Sequence, residues 1–180
     1  MLVALLGSSV RGQQAWTALI VAFVLTVAVS DIRWRKIPRW LTTTAALAGL
    51  GYHALFGGIL SAVIATLIAF GIGLSFFQLG AIGGGDVKLI TALGALLGLD
   101  RWLLAMEIAV IAAALLGVVQ ALRRGVFRQM LRNIATLLKW LLGRGGIPHP
   151  SINVRNQAMV RAPFGVAAAL GTVLAVWRPW

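Results

Sequence analysis

Gly83-Gly84-Gly85-Asp86-Val87-Lys88 delivers a carboxylate, on three consecutive glycines, to the start of an apolar run that continues to Leu99. The surrounding chain has 180 residues, of which 60% are hydrophobic and 11% charged. A soluble domain carries about 25% charged residues. This composition, with a mean hydropathy of +0.94, predicts an all-α, polytopic membrane bundle forming one domain over residues 1–180. In such a bundle an acid at hydrocarbon depth costs at least ~2.5–3.5 kcal/mol. The chain has four acidic residues, Asp31, Asp86, Asp100 and Glu107. Of the other three, only Asp31 adjoins a dense basic cluster, Arg33-x-Arg35-Lys36.

Working outward, apolar runs predict six transmembrane helices at roughly 14–30, 40–56, 59–80, 87–99, 102–122 and 163–178. The fourth is short for a full span, so the glycine segment before it is expected partly within the membrane envelope, sheltered by protein. MLVALLGSSV at the start lacks the basic region of a signal peptide and reads as a short exterior or interfacial tail.

The basic residues orient the bundle. Arg33, Arg35, Lys36 and Arg39 follow the first span, Lys88 adjoins the fourth, and eight more lie between the fifth and the last. Arg11, Arg101 and Arg178 are left for the other side. The positive-inside rule then puts both termini outside. It also puts Asp31, ending the first span, and Asp86, opening the fourth, at the same cytoplasmic end. A helix cap explains Asp86 alone equally well. It explains Asp31 poorly, since a carboxylate at a helix C-terminus opposes the dipole unless Arg33, Arg35 and Lys36 compensate.

Residues 124–143 (RGVFRQMLRNIATLLKWLLG) place Arg124, Arg128 and Arg132 at four-residue spacing opposite an apolar side. They predict an amphipathic helix on the cytoplasmic surface, with anionic lipids as its partner. A Gly/Pro-rich loop over 144–161 is expected to reach across the cytoplasmic mouth. Gly80-x-x-x-Gly84 and Gly94-x-x-x-Gly98 suggest close helix approach. Trp16, Trp34, Trp40, Trp102, Trp177 and Trp180 are expected to form interfacial belts.

The net charge of +12 serves orientation on this reading, and no nucleic-acid partner is expected. There is no cysteine, which excludes disulfides, a thiol nucleophile and Cys-based metal sites. His53 reads as an interfacial residue at a helix end and His149 as a loop residue. No metal or cofactor is expected.

Asp31-Ile-Arg-Trp-Arg-Lys-Ile37-Pro38-Arg39-Trp-Leu-Thr42 resembles the first signature of the type IV prepilin peptidases, intramembrane aspartyl peptidases of the Gly-x-Gly-Asp type. Gly83-Gly84-Gly85-Asp86-Val87-Lys88-Leu89 is similar to the second, and Pro163-Phe164-Gly165 to a Pro-aromatic-Gly element before the last helix. Arg39 departs from the Asn that many relatives carry there. The resemblance implies a bacterial inner-membrane hydrolase that cuts the basic leader from pilin-like precursors at the cytoplasmic face, with Asp31 and Asp86 as its catalytic pair.

Larger members add a domain with paired CxxC motifs and N-methylate the product. This chain resembles the short, peptidase-only branch found with tight-adherence (Flp) pili. Gly83, Gly84 and Gly85 are expected to support the catalytic loop through positive φ angles and close approach to substrate. Ile37, Pro38, Lys88, Pro163 and Gly165 flank the motifs in substrate-contacting or structural roles. Lys88, two residues from Asp86, is expected to point towards lipid phosphate. The alternative is a small transporter or proton-relay subunit using the same two aspartates.

Overall fold

A computed structural model describes residues 2–144 and 163–177. They form α1 (Leu2–Trp34), α2 (Arg39–Phe56), α3 (Ile59–Gln78), α4 (Gly84–Leu97), α5 (Leu99–Arg123), α6 (Phe127–Arg144) and α7 (Phe164–Trp177), with no strand among the described residues. Each of the six apolar runs is helical. Three helical stretches, Arg11–Trp34, Ile59–Gln78 and Leu99–Arg123, are long and apolar enough to cross a membrane. α4 and α7 have 14 residues each, about 21 Å at 1.5 Å per residue, against a hydrocarbon core of ~30 Å. The loop expected over 144–161, with His149, lies outside the described residues apart from Arg144.

The two short helices are the interior of the bundle. α7 packs chiefly on α5 and α1, and α4 on α3 and α2. In α4, Val87, Leu89, Ile90 and every residue from Ala92 to Leu97 are buried. The long stretches bury only 17–28% of their best apolar windows. They turn Leu19, Leu25, Leu67, Phe70, Val110 and Leu115 outward. Large apolar groups are free to face outward in lipid, because oily contact between helices gains nothing over contact with acyl chains, while small residues at the crossings let backbones approach.

Small residues set the helix separations. A Cβ on Gly94 of α4 would lie 2.8 Å from the Ala65 carbonyl oxygen of α3, and one on Gly49 of α2 would lie 2.5 Å from that of Ala95 in α4. Adjacent residues of α4 are thus gripped from both sides at one level. Gly171 of α7 makes the equivalent approach to the Ala105 backbone of α5.

Several expectations are corrected. Of the two spaced glycine pairs, only Gly94 packs a helix crossing. Gly80 (φ 73°) and Gly98 (φ 70°) are left-handed residues that end α3 and α4. After α3, Gly80 N–H donates to Phe77 C=O and Ala81 N–H to Phe76 C=O, a Schellman stop. The same device at Gly125 (φ 67°) ends α5, so α6 starts at Phe127 and excludes Arg124. The expected tail over 1–10 continues α1, which is helical from Leu2, because nothing in LVALLGSSV stops a helix; helicity leaves its exterior or interfacial placement as an expectation. Trp102 is no belt residue. It is 3% exposed, and its Nε1–H donates to Ile90 C=O at 3.1 Å, joining α5 to α4.

Gly94→Ala should destabilise the bundle by about 1–3 kcal/mol, since backbone must move. Gly51→Ala, where no atom lies within 4 Å, should be neutral or gain up to ~1 kcal/mol. Denaturant titration of the two variants in mixed micelles measures the contrast.

Candidate active site

Three chain segments meet at one end of the bundle. The first is the end of α1. Asp31 occupies its last turn, where its carbonyl accepts Arg35 N–H at 3.0 Å. Arg35 then turns left-handed (φ 50°). The buried Ser30 hydroxyl donates to Lys36 C=O at 2.7 Å, which folds the polar connection back over the helix end. Ile37 and Leu41 return to pack on the core. Pro38, at φ −59° and ψ 132°, sets the start of α2.

The second segment is Gly83–Lys88. Gly83 is extended (φ −82°, ψ 156°) and caps α4, so Gly84, Gly85 and Asp86 are the helix's first three residues. Asp86 Oδ2 accepts the Gly83 N–H at 3.1 Å. This self-capping bond winds Gly84 and Gly85 into the helix. It corrects the expectation of positive φ angles in a glycine loop, since none of the three glycines has one. Their bareness serves contact. A Cβ on Gly83 would sit 3.3 Å from Asp86 Oδ2, and one on Gly85 would sit 3.9 Å from Ile37 Cβ. The first two motifs therefore touch. Lys88 is exposed on the other side of α4 from buried Val87 and Leu89.

The third segment is Pro163-Phe164-Gly165. Gly165 N–H donates to Asp31 Oδ2 at 2.7 Å across 134 residues of sequence. A Cβ there would lie 2.9 Å from both Asp31 Cβ and Oδ2. The carboxylate that opposed the dipole of α1 is met by the positive end of α7. The basic residues after Asp31 are not its nearest relief: Arg33, Arg35 and Lys36 are all exposed.

The two aspartates thus occupy one end of the fold, where Gly85, beside Asp86, approaches Ile37 of the connection that follows Asp31. Each carboxylate is held by a backbone amide at the start of a 14-residue helix. At the opposite end of α4, His53 places Nε2 3.3 Å from Leu96 C=O and Nδ1 3.4 Å from Gly57 C=O. It ties helix ends together, as a helix-end residue would. Among the described residues no group of three His, Cys, Asp or Glu side chains is placed to hold a metal. Sequence reasoning missed Ser30, whose bond to Lys36 nothing in the local pattern signals.

The chain lacks cysteine, so the contact between motifs can be tested directly. A 3.9 Å Cβ separation suits a disulfide, for which ~3.5–4.5 Å is usual. Ile37→Cys combined with Gly85→Cys should crosslink in oxidised membranes, read as a mobility change reversed by reductant. Ile37→Cys with Gly71→Cys should not.

No curated protein and no solved structure matches the chain. A model of the type IV leader peptidase family matches residues 18–118. That stretch holds Asp31, the turn to α2, the glycine segment and Asp86, and it exceeds half of the 180 residues. On this match the chain belongs to the type IV leader peptidase family.

Proposed function

We propose that this chain is an aspartyl endopeptidase that removes the basic leader of pilin-like precursors, with Asp31 and Asp86 as the catalytic pair. The observation that carries the reading is the convergence of these carboxylates, from α1 and α4, at one end of the bundle, where Gly85 approaches Ile37 and each carboxylate is met by a backbone amide. The proposed mechanism uses one carboxylate ionised and the other protonated. The ionised carboxylate takes a proton from water as its oxygen attacks the scissile carbonyl carbon. The protonated carboxyl gives its proton to the carbonyl oxygen. The resulting gem-diol collapses, the C–N bond breaks, and the leaving nitrogen takes up a proton. No covalent intermediate forms, and the reaction proposed is peptide cleavage alone.

On a reading of six spans with both termini outside, the site would face the cytoplasm, where a basic leader would lie. α6 touches only α5 to any extent among the described helices. Its Arg128, Arg132 and Lys139 are exposed. This fits a helix lying on an anionic cytoplasmic leaflet, where each basic group near the surface contributes about 1 kcal/mol. The resemblance to short members of the family favours a tight-adherence (Flp) pilin as the precursor.

Asp31→Asn and Asp86→Asn should each abolish processing of a co-expressed pilin precursor, read by gel mobility, while inserting normally. Wild-type processing by either variant would sink the proposal. Zinc chelators should leave the rate unchanged. Arg128→Glu with Arg132→Glu should shift a synthetic Phe127–Arg144 peptide off anionic vesicles by roughly 10-fold or more, measured by sedimentation, with little change on neutral vesicles.

A further inference from the structure

We propose that the first turn of α7 is a third element of the catalytic site and that Gly165 is a positioning residue for Asp31. This rests on the peptidase reading above. A carboxylate torsion is soft and roughly two-fold, so an aspartate at the end of a helix has no fixed orientation of its own. The Gly165 N–H, 2.7 Å from Asp31 Oδ2, commits one oxygen of the carboxylate and so fixes its plane.

The reason lies in how α7 begins. A helix start leaves its first amides without partners, and a Ser, Thr, Asp or Asn at the N-cap normally accepts from the second or third of them. Here the residue before Phe164 is Pro163, which has no side-chain acceptor. Gly165 is the second helical residue. Asp31 therefore supplies the cap from another helix. Only glycine permits this, because a Cβ at 165 would lie 2.9 Å from Asp31 Cβ and Oδ2. The depth of α7 is set further along, where Gly171 seats against the Ala105 backbone of α5.

α4 offers the same arrangement within one segment. Its Asp86 accepts the Gly83 amide at 3.1 Å. The two carboxylates are thus oriented by matching devices, one local and one assembled from segments 134 residues apart.

The test removes the amide donor while leaving every side chain in place. Cell-free translation of the full chain into lipid nanodiscs, with glycolic acid at position 165, exchanges the N–H for an ester oxygen. With a pilin-precursor peptide as substrate, kcat should fall roughly 10–100-fold with KM within about 2-fold, the scale of a small misplacement of a reacting group. The corresponding ester at Val173, remote from both aspartates, should cleave at the wild-type rate. Gly165→Ala keeps the amide but crowds the carboxylate, and should show the same fall in kcat per folded molecule.

Wild-type kcat in the glycolate enzyme overturns the inference. So does a loss confined to melting temperature and folded yield with kcat per folded molecule intact, which is what a mere cap would give. The two proposals fail separately. Cleavage by Asp31→Asn and Asp86→Asn defeats the peptidase reading, whereas inactive Asn variants beside a fully active ester variant defeat only the role of α7.

Discussion

The hydrogen bond from Gly165 to Asp31 is the constraint on which the arrangement of this molecule turns. An acid at the C-terminal end of a membrane helix faces the wrong pole of its own dipole in a medium that penalises charge. Meeting it with the N-terminus of another helix requires that helix to begin at the depth of the acid. α7 does so by being short, and α4 does the same for Asp86. The cost of two charged or shared-proton carboxylates near hydrocarbon is thereby distributed over backbone dipoles.

Short helices in a bilayer must be enclosed, because their ends expose backbone groups where water is scarce. The enclosure explains the residue usage. At the crossings α4 and α7 carry Gly94 and Gly171, and their neighbours present Ala65 and Ala105 there. Many of the larger apolar residues of α1, α3 and α5, such as Leu19, Leu67 and Leu115, lie at the periphery. Trp102 is an exception among the tryptophans. Its indole N–H reaches the Ile90 carbonyl, so this belt candidate is buried with its polar atom satisfied.

Much of this was legible beforehand. Helices came from long apolar runs whose ends carry Gly-Gly, Ile-Pro or basic residues. The placement of Asp31 with Asp86 followed from counting spans. What local pattern could not supply were contacts between distant segments. The glycine triad reads as a loop because glycine disfavours helix, yet the bond between Asp86 and Gly83 winds two of the three into α4. Gly80 and Gly98 sit at a packing-like spacing, but each is needed at positive φ to stop a helix. Gly165 reads as part of a motif with a substrate-contacting or structural role, and only its partner, 134 positions earlier, says what its amide does.

That separation orders events during synthesis. Asp31 emerges from the ribosome early, and α1 enters the bilayer with an acid at its end and no amide to receive it. The glycine segment with Asp86 follows, well before α7 is made. The contact that orients Asp31 can form only after residue 165 has been translated and α7 has slotted between α1 and α5. Between the translation of Asp86 and that of Gly165 the chain therefore carries both carboxylates with one of them unanchored. The latest of the described helices to be made, α7, is the one that completes their geometry.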